Sequence, residues 1–159
     1  MARIGLGAAL IVYVLDQLSK IVLVEHMQEV GRQVVIPGLF NLVMVWNTGI
    51  SFGIGRDGGP IAAWMLAGLA LIISVGLTLW LMSMRQPKLA LAVGLIIGGA
   101  LGNATDRVAR GAVADFFDFH LANTHWPAFN IADSAIVIGA ITLLVNGLWR
   151  RRDTNKNEP

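Results

Sequence analysis

Four long apolar runs divide the chain, from Ile4 to Val24, Ile61 to Met84, Leu89 to Ala104 and Ile131 to Trp149. Each holds roughly 16–24 residues, close to the ~20 that a helix needs to cross the hydrocarbon core of a bilayer. The second run carries no charge, whereas the first is broken by Asp16, Ser19 and Lys20. Arg3 followed by apolar residues has the start of a secretory leader. However, Asp16 to Lys20 is not a small-residue cleavage site and apolar residues resume to Val24, so a retained helix is expected. Between the first two runs the pattern changes to that of strands. Val34, Val35 and Ile36, then Leu39 to Trp46, are rich in strand formers, and Pro37-Gly38 separates them as a turn. Gly53, Gly55, Gly58, Gly59 and Pro60 lead into the second helix. The connection over 105–130 reads as an apolar, aromatic loop at the membrane surface.

The expected fold class is therefore a mainly α membrane protein. It has four transmembrane helices and a small periplasmic β-structure, about residues 31–58, between helices 1 and 2. A single integral domain over 1–150 is expected, with a polar tail over 151–159. Composition agrees: 55% of residues are hydrophobic and only 14% charged, against roughly 25% charged in a soluble domain. The net charge of +2 and pI of 9.5 do not point to nucleic acid, because the basic residues lie between apolar runs and at the C-terminus. Arg3, Arg85, Lys88, Arg150, Arg151, Arg152 and Lys156 fall on one side of such a bundle. Arg32, Arg56, Arg107 and Arg110 fall on the other. The excess of positive charge predicts that both termini are cytoplasmic and that the connections over 25–60 and 105–130 face outward. The absence of cysteine excludes disulfides, thiolate metal sites and a cysteine nucleophile.

Ionisable groups at membrane depth are costly, so each one asks for a reason. Asp16 and Lys20 are four apart on the first helix and can face each other, either as a neutralising pair or as a substrate contact. In the third run Ala90, Gly94, Gly98 and Gly102 lie four apart on one helix face, a pattern that lets helix backbones approach closely in lipid; one further step reaches Asp106. Asp133 follows Asn130 at the start of the fourth helix, where Asn130 can cap and the acid suits the helix dipole. Asp115 stands among Val113, Ala114, Phe116 and Phe117, neighbours that would desolvate a carboxylate unless it is exposed on an interfacial loop. Asp115 and Asp133 both belong to the outer end of the last two spans. Two carboxylates that share a site share one proton, and such a pair can activate water while polarising a carbonyl.

Gly49-Ile50-Ser51-Phe52-Gly53 matches the nucleophile-elbow pattern, but the chain has no room for the α/β sheet that gives that motif meaning. His120 and His125 with Asp118 could hold a metal, but they read better as interfacial polar residues, so no metal and no cofactor is expected. The alternative to an enzyme is a membrane protein whose buried acids serve ion passage or helix registry.

Five blocks in order carry a more specific signal: Asp16-Gln17-Leu18-Ser19-Lys20, Trp46-Asn47-Thr48-Gly49, Gly98 through Arg107, Val113-Ala114-Asp115-Phe116, and Phe129 through Ser134. In these the sequence resembles the signal peptidase II family of bacterial inner-membrane aspartic peptidases, from Asp16 to about Gly139. The resemblance implies that Asp115 and Asp133 are the catalytic pair. It implies that Asn47, Gly49, Asn103, Arg107 and Asn130 line the substrate cleft or hold its polar groups, and that Asp16 and Lys20 support the fold. The implied substrate is a prolipoprotein with a diacylglyceryl-modified cysteine, cut just before that cysteine. Membrane lipid is the other implied partner, and nothing demands more than a monomer. Ile50-Ser51-Phe52 departs from the small residues expected after Gly49, which bears on the loop more than on the chemistry.

Overall fold

The computed structural model describes residues 1–49, 59–121 and 124–155, with 150–155 described by their backbone alone. Among the described residues, four helices are long and apolar enough to cross a membrane: α1 (Ala2–Val30), α2 (Gly59–Ser83), α3 (Pro87–Arg110) and α4 (Ile131–Asn155), the last over Ile131–Trp149. Four strands complete the order: β1 (Arg32–Ile36) and β2 (Phe40–Asn47) between α1 and α2, and β3 (Val113–Leu121) and β4 (Thr124–His125) between α3 and α4. Of the glycine-rich lead into α2, residues 50–58, with Ser51 and Arg56, lie outside the described residues, and Gly59 and Pro60 begin the helix itself.

Three helices run further than hydropathy suggests, and in α4 the backbone stays helical past Trp149 to Asn155, into the expected polar tail. α1 continues past Val24 through Glu25 and His26 to Val30, and Gly31 at φ 71° ends it with its N–H on the Met27 carbonyl. α3 continues past Ala104 through Thr105, Asp106 and Arg107 to Arg110, where Gly111 in the left-handed region caps it. Hydropathy ends a span where polar residues begin, but backbone hydrogen bonding does not stop there. α3 is the centre of the bundle and packs against α1, α2 and α4. The small-residue face makes this possible. A Cβ at Gly94 would run into the Gly5 carbonyl oxygen, and one at Gly98 would lie 2.5 Å from that of Ala9. Gly99, on the other side of α3, meets the Ala132 carbonyl oxygen of α4 in the same way. Ala9, Leu81, Ala90, Val93 and Ile97 form the apolar core where α1, α2 and α3 meet.

The region around 113–121 is a correction to the sequence reading. It is a strand rather than a loop, and it joins the sheet formed by the first connection. The sheet order is β1-β2-β3-β4, antiparallel throughout. β1 and β2 form a hairpin around Pro37–Leu39, with Gly38 at φ 76°. β2 pairs with β3 in a register that sets Val45 opposite Asp115 and Asn47 opposite Val113. An aromatic stretch reads alike as interfacial loop or as strand; the free edge of β2, far away in the chain, decides between them. A bridge between Phe117 and Phe129 then leads the chain into α4. The sheet thus joins the two connections into one cap over the bundle end that carries the last turn of α3 and the first turn of α4.

Candidate active site

Asp115 is reached from β3 and is almost fully buried. Its Oδ2 accepts from Asn47 Nδ2 at 3.0 Å, and its Oδ1 accepts from Asn130 Nδ2 at 2.7 Å. The β2–β3 register explains the first contact, since Asn47 stands two residues along from Val45 and so diagonally across from Asp115. Asn47 is itself oriented by the Gly49 N–H, which donates to its Oδ1 at 3.1 Å. Asp133 is presented from the first turn of α4. Asn130 caps that turn: its Oδ1 accepts from the Asp133 N–H at 2.9 Å, while the Asn130 N–H donates to Asp133 Oδ2 at 3.4 Å. Asp133 Oδ1 accepts from Asn103 Nδ2 at 2.7 Å.

Asn130 therefore bridges the two acids, its amide nitrogen on Asp115 and its amide oxygen on the backbone of Asp133. Both carboxylates also line one cleft of about 970 Å³. The cleft begins at the sheet, with Val43, Val45 and Asn47, passes Trp126 and Phe129, and descends α4 past Ser134 to Val137 and Ile138. Val137 and Ile138 are 54% and 56% exposed, so this wall opens sideways toward lipid. Burial, and next the nearby charge of Asp133, push the Asp115 carboxyl up to about 7, against the opposing hydrogen bonds from Asn47 and Asn130. A carboxyl raised that far can hold or release its proton near neutral pH.

The other residues singled out in the sequence fall into three pairs. Asn103 and Asn130 sit behind the carboxylates and donate to them. Arg107 and Gly49 hold each other: Arg107 Nη2 donates to the Gly49 carbonyl at 2.9 Å, which ties the end of β2 to α3. Asp16 and Lys20 pair at 2.8 Å, fully buried, and Asp16 Oδ1 also accepts from the N–H of Ala132, the residue before Asp133, at 3.0 Å. Ser51 of the elbow-like motif lies outside the described residues.

Asp106 was not singled out as a site residue. It is fully buried and forms a second ion pair with Lys20 at 2.8 Å, while its other oxygen takes Arg110 at 2.6 Å. The spacing of four from Gly102 was the available signal. Nor was Asn41 singled out. It is a polar residue inside the apolar run of β2, and it donates to Asp118 Oδ2 at 2.7 Å. Asp118, His120 and His125 do converge, one potential ligand atom from each lying within 4.8 Å of the others. The Asp118 carboxylate is engaged by Asn41 and by His125 Nδ1 at 2.7 Å. Burial works against its charge, yet these hydrogen bonds hold its pKa below the usual range.

Four membrane-length helices carrying two bridged carboxylates on one lipid-facing cleft have the make-up of a membrane-embedded aspartic peptidase. Comparison with known proteins narrows the class. A family model described as Signal peptidase (SPase) II matches residues 8–149. A lipoprotein signal peptidase of Cupriavidus necator is 44% identical over 146 residues, covering 91% of this chain and 82% of the relative. One of Serratia marcescens is 39% identical over 137 residues, covering 86% of this chain and 81% of the relative. A bacterial membrane enzyme solved by the in meso method at 2.3 Å resolution superposes with a TM-score of 0.78 at 29% identity, over 97% of this chain and 91% of that one. A second, at 1.9 Å resolution, gives a TM-score of 0.77 at 30% identity, over 91% of this chain and 92% of that one. The chain belongs to the signal peptidase II family.

Proposed function

We propose that the protein is an aspartic endopeptidase that removes signal peptides from diacylglyceryl-modified prolipoproteins. It cuts before the lipid-modified cysteine by water attack assisted by Asp115 and Asp133. Family membership supports signal-peptide removal from prolipoproteins as the reaction. The single observation that carries the mechanism is the placement of both carboxylates on one cleft, linked through Asn130. The pair holds one proton between them. The ionised member takes a proton from water, whose oxygen bonds to the scissile carbonyl carbon, while the protonated member hydrogen-bonds the carbonyl oxygen. Collapse of the tetrahedral adduct breaks the C–N bond, and the proton taken from water passes to the departing amine. The coupled pair titrates as a unit, so the roles of base and acid belong to the pair.

The cleft suits this substrate. A signal peptide is an apolar helix in the bilayer, and the cleft opens to lipid along Val137 and Ile138. A cysteine carrying acyl chains sits at the membrane surface, where the sheet caps the bundle. With both termini cytoplasmic, that cap lies on the periplasmic face of the inner membrane, and a monomer supplies every group the reaction uses.

The test is cleavage of a diacylglyceryl-modified prolipoprotein by the purified protein in detergent, with the unmodified precursor as control. Asp115→Asn and Asp133→Asn should each lower kcat by about 10²–10⁴-fold with helix content and melting temperature retained. Full activity of either variant, or equal cleavage of the unmodified precursor, would sink the reading.

A further inference from the structure

Lys20 does not reach the cleft, yet the orientation of both catalytic carboxylates' donors leads back to it. It is fully buried between α1 and α3. Its ammonium lies 2.8 Å from Asp16 Oδ2, 2.8 Å from Asp106 Oδ2 and 3.1 Å from Asn103 Oδ1. Three donors meet three acceptors, so none is left over. Two of the partners are carboxylates and account for the charge. The third, Asn103, is neutral, and charge balance does not require it.

A carboxamide has one accepting end and one donating end. Asn103 stands between Lys20, which can only donate, and Asp133, whose ionised carboxylate can only accept. One orientation satisfies both, with the oxygen on Lys20 at 3.1 Å and the nitrogen on Asp133 at 2.7 Å. The same Asn103 oxygen accepts from Asn130 Nδ2 at 3.3 Å, and that nitrogen donates to Asp115 Oδ1 at 2.7 Å. The polarity of the ammonium thus passes through two amides to two carboxylates. Gly102 leaves the space for this: a Cβ there would lie 2.5 Å from Asp16 Oδ2, in the heart of the ion-pair cluster.

We propose that Lys20 is a positioning residue of the peptidase reaction, which by holding the Asn103 carbonyl oxygen fixes Asn103 with its N–H end toward Asp133 and its oxygen toward the N–H of Asn130, an amide itself oriented by the Asp133 N–H. This rests on the reading of the two aspartates as the reacting pair. Without the ammonium the Asn103 oxygen keeps only the 3.3 Å contact from Asn130 Nδ2, and the amide can turn end for end. That sets oxygen against oxygen at Asp133, an arrangement only an added proton can bridge, so the pH profile of the enzyme changes with it.

A double-mutant cycle tests the proposal on the full-length protein, with kcat, KM, melting temperature and pH profile measured for Lys20→Met, Asn103→Ala and the pair. Each single change should lower kcat by roughly 10–100-fold, the range for a group that orients a reacting residue. KM should stay within about twofold and the double variant should be no slower than either single. Kcat losses that multiply in the double variant would show Lys20 acting on the site by charge alone or on the fold generally, and would overturn the proposal. So would a folded Lys20→Met enzyme with wild-type kcat and pH profile. Should that variant not fold, Lys20→Gln with Asp106→Asn, which leaves the cluster's net charge unchanged, takes its place in the cycle. Failure of both to fold while Asn103→Ala folds would assign Lys20 to stability alone. Asp115→Asn and Asp133→Asn run in parallel separate the two readings. If they retain activity, the catalytic pair itself is wrong; if they are inactive while Lys20→Met is unaffected, only the role of Lys20 falls.

Discussion

α2 and α3 are neighbours of similar length, and hydropathy ranks them in the opposite order to burial. α2 is the most apolar of the four spans, yet only 17% of its most apolar stretch is buried in the protein; in the less apolar α3 the share is 67%. In water the more apolar helix would take the core. In lipid an apolar side chain loses nothing by facing acyl chains, so helices associate where small residues let backbones approach and where polar groups need partners. α3 has both. Gly94, Gly98 and Gly102 meet α1, Gly99 meets α4, and Asn103 and Asp106 find partners on α1 and α4. On α2 Gly68 and Gly76 face open space, and Ser74 and Thr78 donate to carbonyls of their own helix, each at 2.7 Å. In this protein, polar and small residues mark the working helix, and uniform apolarity marks the one that faces lipid.

The contrast can be broken at several points. Asn103→Ala on α3 removes the donor to Asp133 and should lower kcat by roughly 10–100-fold, whereas Thr78→Val on α2 should leave kcat within about twofold. Equal effects in a cleavage assay would end the functional half of the comparison. Next in size is pH. With the Asp115 carboxyl held up at about 7, the pair loses its shared proton as pH rises past that value, and kcat should then fall by about tenfold per pH unit. The same shift acts on stability with a definite sign. The folded state binds the proton more tightly than the unfolded state, so this contribution is full at acid pH. It is lost as pH rises from the ordinary carboxylate range through about 7. Melting temperatures that climb steadily over that window would contradict it.

Packing effects come after these. Gly102→Ala places a methyl group against Asp16 Oδ2 and should cost about 1–3 kcal/mol, read as a lower midpoint in detergent unfolding. The smallest expected change is Gly76→Ala on α2, where nothing lies within 4 Å of the new carbon; stability should stay within about 0.5 kcal/mol. If the two glycines proved equally sensitive, close approach at α3 would not be what holds the bundle.

Much of this was legible in the order of residues. The four spans follow from run length against bilayer thickness. The Pro37-Gly38 turn, the α3 glycine face and the Asn130 cap follow from short-range spacing. The Asp16–Lys20 pair is a contact four residues apart on one helix, and the structure contains it. Asp106 was half visible, one step along the glycine face, but its partner Lys20 is 86 residues earlier and no local pattern joins them. β3 was misread because Val113 to Phe119 would look the same in an interfacial loop; its pairing with β2 is a meeting of distant segments. The approach of Asn41 to Asp118 and His120 is likewise a product of that pairing, whereas His125 reaches Asp118 across the local β3–β4 hairpin.

The sequence by itself determined which segments enter lipid, which helix face can approach another, and which acids are costly enough to need a reason. These depend on distances of a few residues along the chain, or on total apolar length, and both are written in one dimension. Only the tertiary structure decided that α3 is central, that β3 closes the sheet over the bundle end, and that Lys20, Asn103 and Asn130 connect to both carboxylates. A hydrogen bond between side chains requires both partners in place at about 3 Å with the right end forward. That is a property of packing among helices, and spacing along the chain does not contain it.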